Sequence, residues 1–438
     1  MKRPPRVVVV GAGFGGLEVV RRLAKAECDV LLLDRRNHHL FQPLLYQVAT
    51  AALSPADIAE PVRAIVRKQA NVQVLLQEVT AVSLEARTLQ VGAEEVAYDC
   101  LVLAAGATTA YFGNDEWARR APGLKTIDDA IEIRRRVLMA FEEAELEKDE
   151  EARRAKLTFV VIGGGPTGVE MAGALREIAA MSIPDDFRRV DTTTARVYLL
   201  EGGPRLLPTM SEDASRSALK QLESLGVEVR LDTMVTAVDE GMVWVGDQSV
   251  AAANVIWAAG VEASHLTRSL GVELDRQGRI VVEPDCSVPG HPNVFAVGDL
   301  AAQVDAATKE PVPGVAQGAI QMGTFVGDII AAEISSPTPP RRPSFRYRNK
   351  GEMATIGRAR AVADVGGRTF SGLFAWLLWS AVHVAFLVGF RNKLLVMVHW
   401  AWQWFIQSRG ARLITGGSSP SVSHPVDLDG HAAGRGSD

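Results

Sequence analysis

Apolar runs of four residues, each followed by a cluster of glycines, occur twice in the chain. Residues 7–10 have the sequence Val-Val-Val-Val before Gly-Ala-Gly-Phe-Gly-Gly, and residues 159–162 have Phe-Val-Val-Ile before Gly-Gly-Gly-Pro-Thr-Gly. A short apolar run that ends in a turn predicts a buried strand, and the mixed segment after the glycines predicts a helix. Two strand–turn–helix units are therefore predicted, with an offset of 152 residues between Gly11 and Gly163.

The glycines of both units have the spacing Gly-x-Gly-x-x-Gly. The first glycine permits a tight turn, the second lets the backbone approach a pyrophosphate, and the third lets the helix pack closely on the strand. A lone motif of this kind is weak evidence, but two in one chain favour a flavoprotein that takes electrons from a nicotinamide dinucleotide. The glycines are Gly11, Gly13 and Gly16 in the first unit and Gly163, Gly165 and Gly168 in the second.

An acidic residue at the end of the next strand completes such a unit, because it binds a ribose diol. Asp34 supplies this acid 23 positions after Gly11, and Glu201 supplies it 38 positions after Gly163. The longer second gap predicts an inserted loop at residues 183–194. Two ordinary turns with glycine helix caps are the competing interpretation, but strand, glycines, helix and acid recur in the same order in both units.

Further apolar segments extend each unit. Predicted strands lie at residues 72–76, 78–84 and 98–106 in the first unit and at residues 227–231, 234–238 and 254–260 in the second. The last strand of each set ends in Ala-Ala-Gly, which is a second internal repeat. In a doubly wound sheet such strand ends lie at the carboxyl edge, where a cofactor binds. A strand and turn at residues 293–299 predict a return to the first domain.

These elements predict an α/β fold with two Rossmann-like dinucleotide-binding domains, one inserted in the other, and a C-terminal membrane-associated helical region. The 438 residues suffice for two or three domains. A charged helical stretch at residues 127–155 leads into the second unit, and residues 335–343 form a proline-rich linker. The predicted parts are an FAD-binding domain (1–117 and 284–335), an NADH-binding domain (118–283), a C-terminal anchoring region (336–415) and a disordered tail (416–438).

The C-terminal region is apolar and rich in tryptophan. Residues 373–390 carry no formal charge and are long enough to be a transmembrane candidate, until Arg-Asn-Lys interrupts the run. Beyond it, Asn392, His399, Gln403 and Gln407 fall on one face of a predicted helix, opposite apolar residues. This pattern favours helices in the membrane interface, with a buried dimer or domain interface and a true span as alternatives. The tryptophans expected at the lipid headgroups are Trp376, Trp379, Trp400, Trp402 and Trp404.

Charge is distributed unevenly along the chain. Residues 341–412 carry a formal charge of +10 and the remainder carries −15, for a net charge of −5. A basic, aromatic end on an acidic protein favours an anionic lipid surface as partner. Nucleic acid is disfavoured, because the basic residues flank apolar helices and form no single dense cluster.

The three cysteines are scattered along the sequence. Their spacing indicates no disulfide framework and favours a reducing compartment, and without a Cys-x-x-Cys pair no redox-active dithiol is expected beside a flavin. No metal site is predicted, because His383 and His399 are expected on helix faces. The first strand begins by Arg6, which leaves no room for a cleaved signal peptide. The cysteines are Cys28, Cys100 and Cys286.

Several further stretches carry a resemblance to known families. Gly298 and Asp299 form a turn in which, in flavoproteins with two dinucleotide sites, the acid accepts a hydrogen bond from the ribityl chain. With both glycine motifs, this turn makes residues 6–330 resemble the pyridine-nucleotide-dependent flavoprotein reductases. Residues 41–49, 316–321 and 349–357, with the segment Gly-Phe-Arg-Asn-Lys-Leu-Leu-Val-Met-Val-His-Trp-Ala-Trp, resemble the type II (non-proton-pumping) NADH:quinone oxidoreductases. This second resemblance covers the chain except its tail.

The resemblance implies a tightly but non-covalently bound FAD and NADH as substrate. Glu201 favours NADH over NADPH, because a carboxylate repels a 2′-phosphate, although Arg205 nearby leaves that open. The residues expected at FAD are Gly11, Ala12, Gly13, Phe14, Gly15, Gly16, Asp34, Arg35, Gln42, Val79, Ala105, Gly106, Asp299 and Gln317. The residues expected at NADH are Gly163, Gly164, Gly165, Pro166, Thr167, Gly168, Glu170, Glu201 and Gly260.

Four residues are implied to act in catalysis. Gln317 and Gln321 belong to the family's quinone-site motif and are expected beside the flavin ring. Glu170 is expected near the nicotinamide and the flavin, where the family places an acid implicated in proton handling, and Lys350 is expected to approach the flavin. The alternatives are helix capping and packing for the two glutamines, a first-turn acid favoured by the helix dipole for Glu170, and a surface position for Lys350.

The implied reaction has two halves. NADH passes a hydride to the flavin, and the reduced flavin gives two electrons to a quinone reached from the membrane. The resemblance implies a peripheral homodimer on the cytoplasmic face of the cell membrane. The competing functions are a soluble ferredoxin or rubredoxin reductase, a sulfide:quinone oxidoreductase, which needs cysteines beside the flavin, and a non-catalytic flavoprotein that senses NADH or binds a partner.

Overall fold

The computed structural model describes residues 3–338, 340–406 and 410–415, so the predicted tail at residues 416–438 lies outside the described residues. The first glycine-rich unit forms the centre of a six-stranded sheet, which is parallel except for its first strand pair. Strands of such a sheet are covered on both faces, which explains why residues 7–9 are fully buried. The strands, in spatial order, are Ser287–Val288, His291–Ala296, Cys100–Leu103, Arg6–Val10, Asp29–Asp34 and Val72–Leu76.

The second glycine-rich unit forms a four-stranded parallel sheet. The strand before its glycines lies between the strand that leads to Glu201 and the strand that leads to the second Ala-Ala-Gly. The first sheet has the same arrangement around Asp34 and the first Ala-Ala-Gly, so the two units are structural repeats, as predicted. The strands of the second sheet, in spatial order, are Val227–Arg230, Arg196–Leu200, Thr158–Ile162 and Asn254–Trp257.

The chain returns to the first sheet after it completes the second. The strand His291–Ala296 pairs with Cys100–Leu103, although the whole second sheet lies between them in the sequence. The second unit is therefore inserted in the first, which confirms the predicted fold class of two Rossmann-like units. Two short strands, Ala107–Thr109 and Val261–Ala263, pair antiparallel where the chain passes between the units.

Small antiparallel sheets complete both units. The predicted strand at residues 234–238 begins only at Ala237, and the residues just before it bond to the segment that follows the strand Arg196–Leu200. Asp232 N donates to the Gly203 carbonyl oxygen, and Thr233 N donates to that of Glu201. The three-stranded sheets are Val79–Ser83 with Thr88–Val91 and Glu94–Ala97, and Ala237–Asp239 with Met242–Val245 and Gln248–Ala251. His38–Leu40 also pairs antiparallel with Ala59–Pro61, whereas Ile280–Val281 pairs parallel with Ala301–Ala302.

The helices follow the predicted order with one interruption. The charged stretch at residues 127–155 forms two helices, because Glu147 is extended and Asp149 caps the second helix by accepting the Ala152 N–H at 2.7 Å. The helices before the C-terminal region are Phe14–Arg22, Leu45–Ala49, Pro55–Ile58, Val62–Val66, Ile127–Leu146, Glu150–Lys156, Pro166–Glu177, Glu212–Leu225 and Ala316–Ser335. The predicted loop at residues 183–194 contains only short helical turns.

A C-terminal sheet packs on the helix of the second glycine turn. A methyl group on Gly173 of that helix would collide with the Ile356 carbonyl oxygen, so the close approach requires glycine. The strands of this C-terminal sheet are Glu352–Gly357, Arg360–Val365 and Arg368–Ser371. Two helices follow, Gly372–Phe386 and Phe390–Ile406, which we call the helix pair.

The last helix docks with its polar side against the protein. Asn392 is buried and donates from Nδ2 to the Ala59 carbonyl oxygen at 3.3 Å and to the Glu60 carboxylate at 3.2 Å. Trp400 Nε1 donates to Gln47 Oε1 at 2.8 Å. Apolar side chains on the opposite side are about half exposed, namely Leu394, Met397, Val398 and Trp402.

One alternative and one expectation for the C-terminal region need adjustment. None of the helices among the described residues has the length and apolar character needed to cross a membrane. Trp379 is buried and stacks on His383 with ring centroids 4.2 Å apart, so its expected place at the lipid headgroups is wrong. On a docked helix, the face on which a tryptophan lies decides whether it is buried in the protein or exposed. The residue type alone does not reveal that face.

Candidate functional site

The two glycine turns have the same backbone geometry. Gly11 and Gly163 leave their strands with φ of 105° and 107°, a left-handed conformation that favours glycine. A methyl group on Gly16 would collide with the Gly11 carbonyl oxygen, and one on Gly168 with the Gly163 carbonyl oxygen. Each helix therefore begins directly against its own strand, with its unpaired N–H groups at the edge of the sheet.

The middle glycine of each motif faces open space. Gly13 and Gly165 are the N-caps of the two helices, and no other described atom lies within 4 Å of the position that a β-carbon would take. The described first turn of each helix contains no acidic residue, so the helix dipole and the free N–H groups can hold an anion. Both turns therefore fit a pyrophosphate. The same first turns contain the predicted contact residues Phe14, Gly15, Pro166 and Thr167.

The two acids occupy equivalent places beside these turns. Asp34 Oδ2 accepts the Ala12 N–H at 2.6 Å, and Glu201 Oε2 accepts the Gly164 N–H at 2.5 Å. Each acid accepts a second backbone N–H, from Arg36 at 2.7 Å for Asp34 and from Gly203 at 2.7 Å for Glu201. These bonds fix both carboxylates at the carboxyl edge of their sheets, next to the residue that follows the first glycine.

Other residues predicted at FAD have more varied surroundings. Ala105 and Gly106 follow the strand that ends beside Gly11, and Gly106 has φ of 70°. Val79 is buried at the start of a strand of the small antiparallel sheet. Arg35 is exposed and pairs with Glu78 at 3.3 Å, so the surface ion pair occupies part of its guanidinium.

Asp299 lies near a lysine that sequence reasoning missed. It stands in the turn Gly298–Leu300. Burial lowers the pKa of Lys125, and the Asp299 carboxylate opposes this in part. Gln42 Nε2 donates to the Lys125 carbonyl oxygen at 3.3 Å, which joins a second predicted residue to this group. Lys125 belongs to no motif, and its only signal is its place at the end of a buried apolar run.

The second Ala-Ala-Gly ends as the first does, in a glycine with positive φ. Gly260 has φ of 108°, and the Phe112 ring lies directly beside it, with Cζ 2.7 Å from the position that a β-carbon would take. The Phe112 side chain is largely exposed. An aromatic ring therefore stands at the edge of the second sheet where the nicotinamide dinucleotide is expected, and no sequence motif marks it.

Glu170 is the fifth residue of the helix Pro166–Glu177, beyond its first turn. The alternative of a first-turn acid stabilised by the dipole is therefore wrong. Burial raises the pKa of Glu170 well above its ordinary value, and a long hydrogen bond from Thr355 N, at 3.4 Å, opposes this only in part. An acid in this environment retains its proton where an exposed glutamate is ionised.

Glu170 lines a cavity of about 110 Å³ between both units and the C-terminal region. Its wall includes Gln47, whose Nε2 donates to the Tyr46 hydroxyl at 2.8 Å and whose Oε1 accepts the Trp400 N–H. Gln47 lies in the family-like stretch 41–49, from which only Gln42 is among the predicted site residues. The cavity joins residues that are far apart in the chain, so pattern alone could not assemble it. Further lining residues are Thr50, Ala174, Thr355, Trp376 and Trp379.

The other three predicted catalytic residues form a separate group. Gln317 Oε1 accepts the Lys350 N–H at 3.0 Å, and its Nε2 donates to the Gly351 carbonyl oxygen at 3.1 Å. Gln321 Oε1 accepts the Arg348 N–H at 2.9 Å, and its Nε2 donates to the Arg348 carbonyl oxygen at 3.0 Å. Lys350 itself is exposed. Its Nζ lies 5.8 Å from the centroid of the Phe386 ring.

Among the described residues, the buried His383 and the three cysteines are poorly suited to a second reactive centre. His383 Nδ1 donates to the Trp379 carbonyl oxygen at 2.7 Å, and burial lowers the pKa of His383 to about 4, so the ring is neutral. Burial also raises the pKa of all three cysteines, that of Cys100 to about 12, which makes them poor nucleophiles. In the part of the chain that the structure describes, no group of His, Cys, Asp and Glu side chains could hold a metal ion.

The sequence matches known families over most of its length. Residues 5–323 match the family described as pyridine nucleotide-disulphide oxidoreductase, and residues 349–409 match the NDH2 C-terminal domain. The type II NADH:quinone oxidoreductase Ndh of Mycobacterium tuberculosis is 47% identical over 94% of this chain and 91% of its own. The chain belongs to the type II NADH:quinone oxidoreductases. A second relative in this family, NdhA of the same organism, is 46% identical over 94% of this chain and 89% of its own.

Solved structures share the fold of this type II NADH:quinone oxidoreductase. The structure of NDH2 from Plasmodium falciparum in complex with NADH has a TM-score of 0.85 at 21% identity and covers 94% of this chain and all of that one. A sulfide:quinone oxidoreductase from Aquifex aeolicus has a TM-score of 0.67 at 20% identity, over 89% of this chain and 92% of that one. Since two different activities share the architecture, the fold alone does not choose the electron donor.

Proposed function

We propose that the protein is a single-subunit flavoenzyme that oxidises NADH and passes two electrons through FAD to a membrane quinone, without proton pumping. The observation that carries this proposal is the duplicated glycine turn. The N–H groups of Ala12 and Gly164 bond to Asp34 and Glu201 in the same way. Two equivalent turns in one chain support two dinucleotides, with FAD at the first turn and NADH at the second.

The residues of the first turn fit the parts of FAD in order. The open backbone at Gly13 would hold the pyrophosphate, Asp34 the ribose, and Asp299 the ribityl chain. When bound, FAD would supply the redox chemistry by accepting a hydride and returning two electrons. The second turn would hold the NADH pyrophosphate at Gly165 and its ribose at Glu201.

Glu170 is proposed to carry a proton in the reaction. Oxidation of NADH by a quinone gives NAD⁺ and quinol and consumes one proton beyond the hydride. The raised pKa of Glu170 favours the protonated carboxyl, and its cavity contains the polar side chains Gln47 and Thr50. A carboxyl group placed in the site would supply this proton as a general acid.

Lys350 is proposed to face the quinone. Its exposed ammonium group and the Phe386 ring combine positive charge with an apolar surface. Negative charge develops on a quinone oxygen as electrons arrive, and a fixed cation stabilises it. This assignment places the acceptor on the side of the molecule where Gln317 and Gln321 hold the Lys350 segment.

The helix pair is proposed to lie on lipid, as a peripheral contact at the cytoplasmic face of the cell membrane. The exposed apolar residues of its last helix lie close in sequence to Arg391 and Lys393, a combination that suits an anionic membrane surface. Additional exposed apolar residues of the first helix are Leu373, Phe374 and Leu377. A homodimer is proposed from the family resemblance, and mass photometry of detergent-solubilised protein tests it.

The test of the reaction is a quinone assay with purified, FAD-loaded protein. We expect one quinone reduced for each NADH oxidised, with a much lower rate for NADPH. Reduction of the flavin by NADH without transfer to a short-chain quinone would remove the quinone from the proposal. A protein that bound FAD but was not reduced by NADH would be a non-catalytic flavoprotein.

A further inference from the structure

The backbone of residues 347–351 runs extended along the helix Ala316–Ser335, with which it forms no sheet or helix ladder. Two glutamines one helical turn apart contact it. Each uses both its amide oxygen and its amide nitrogen, so four hydrogen bonds of 2.9 to 3.1 Å connect the helix to this segment. A glutamine amide that donates and accepts at one backbone imitates the pairing of a neighbouring strand.

The spacing of the two glutamines matches that of the residues they hold. Four residues of helix advance by about 6 Å, and two residues of an extended chain advance by about 6.6 Å. Gln317 and Gln321 therefore stand opposite Lys350 and Arg348, respectively. Gly351, with φ of 106°, then turns the chain away towards the C-terminal sheet. The geometry accounts for glutamine at both positions without any contact to a ligand.

The other end of the segment is also fixed. Asp305 is buried, and its Oδ2 accepts the Tyr347 N–H at 2.5 Å. From Tyr347 to Gly351 the backbone thus has anchors at 347, 348 and 350–351, whereas the Lys350 side chain extends from it into solvent. Rigid support for the backbone limits the positions that this long side chain can reach.

We infer that Gln321 is a positioning residue, which acts on the electron acceptor through the backbone of Arg348 and the placement of Lys350. This inference rests on the proposed function, because it gives the Lys350 ammonium a place at the acceptor. The chemical class of that acceptor is a neutral quinone whose oxygen becomes negative as it takes up electrons. A cation is effective there only when it is held in place.

Trypsin tests the support of the segment directly, since it cleaves after Arg348 and Lys350. Loss of the two bonds in Gln321→Met should raise the rate of cleavage after these residues about tenfold, because local opening becomes more frequent. The matched control is Gln221→Met, which removes bonds from another helix to Ser217 and to the Ala361 carbonyl oxygen of the C-terminal sheet. Cleavage after Arg348 and Lys350 should be unchanged in the control, and equal rates in Gln321→Met and wild type overturn the inference.

A double-mutant cycle tests the route from Gln321 to the acceptor. Stopped-flow reduction of the flavin by NADH should keep its wild-type rate in Gln321→Met, while reoxidation by a short-chain quinone slows about tenfold. The reoxidation rate of the double variant Gln321→Met/Lys350→Met should be within about twofold of that of Lys350→Met alone. Gln321 acts through Lys350, so its loss has no further effect once Lys350 is replaced. Multiplicative losses overturn the inference. A wild-type protein that reduces no quinone contradicts the proposed function, and the inference with it, whatever the trypsin result.

Discussion

The Thr355 backbone N–H faces the Glu170 carboxyl group, 3.4 Å from Oε1, across the contact between the second glycine-rich helix and the C-terminal sheet. Farther along the same helix, Glu177 Oε1 accepts the Arg358 N–H at 2.5 Å. One helix face therefore carries both the proposed proton carrier and an attachment of the C-terminal sheet. Glu170 therefore lies directly against the sheet that leads into the helix pair.

Glu170→Gln should slow the transfer of electrons to quinone. The amide keeps the size of the side chain and cannot exchange a proton, so we expect reoxidation of the flavin to slow by about a hundredfold, in the range of general acid catalysis. Stopped-flow measurement with a short-chain quinone gives this rate. Glu142→Gln, on a different helix, serves as the control. An unchanged rate in Glu170→Gln would show that the proton comes from another group.

The same substitution should change how stability depends on pH. The pKa of Glu170 is raised in the folded state above its ordinary value of 4.5, so the folded protein holds this proton more tightly than the unfolded chain. This contribution to stability is fully present below pH 4.5, and it is lost as the pH rises from there through the folded-state pKa, because the unfolded chain gives up the proton first. The free energy of unfolding, measured in urea, should therefore fall less between acidic and alkaline pH for Glu170→Gln than for the wild type. Parallel curves would contradict the pKa shift.

Substitution of the middle glycine of each motif should affect the binding of one dinucleotide and not the other. Gly13 and Gly165 have φ of −74° and −71° and room for a side chain, so valine is compatible with folding but blocks the approach of a pyrophosphate. Gly13→Val should purify without FAD. Gly165→Val should retain FAD and lose at least tenfold in affinity for NADH, because a close backbone contact to phosphate is removed. Flavin absorbance and an NADH titration measure both effects, and loss of FAD from Gly165→Val would contradict the assignment of the turns.

The helix pair should bind lipid through its exposed apolar side chains. Met397→Glu/Val398→Glu should weaken binding to vesicles that contain anionic lipid by at least tenfold, since each side chain contributes about 1.5–3 kcal/mol when buried. Vesicle co-sedimentation measures the change. Leu146→Glu, at an exposed apolar residue outside the helix pair, is the matched control and should sediment like wild type. Removal of the chain after Ser371 should release the protein entirely, and continued sedimentation of that truncation would contradict the anchor.

Gly173→Ala should destabilise the contact between the helix Pro166–Glu177 and the C-terminal sheet. Alanine favours helices, but its methyl group would collide with the Ile356 carbonyl oxygen, and overpacking of this kind costs about 1–3 kcal/mol. The free energy of unfolding in urea should fall by that amount. Gly410→Ala introduces the same methyl group where no other described atom lies within 4 Å, and it should change stability by less than about 0.5 kcal/mol.

The repeated part of the fold was predictable because each local pattern has one structural solution. A buried strand, a turn that requires glycine and a helix in close contact must follow one another as they do at Gly11 and Gly163. The acids Asp34 and Glu201 were predictable for the same reason, since parallel neighbouring strands bring their ends together. Their backbone partners, Ala12 and Gly164, follow from that geometry.

The cavity around Glu170 was not predictable from pattern. It combines Tyr46, Gln47, Thr355 and Trp400, which lie on separate elements and meet only through tertiary packing. Lys125 escaped detection because a single lysine has no period or motif. The two glutamines were found through a motif, but their bonds to residues 348–351 depend on how an irregular segment lies along a helix, which no hydrophobic pattern encodes.

The docking of the last helix also determines when the molecule can be completed. Trp400 bonds to Gln47, 353 residues earlier in the chain, and Asn392 bonds to Ala59, 333 residues earlier. The ribosome therefore finishes both sheets before the helix that closes against residues 47–60 exists. During synthesis, residues 47–60 therefore lack their partner until the last helix has been made. The exposed apolar side chains of that helix are added only to a chain whose nucleotide-binding units have already been synthesised.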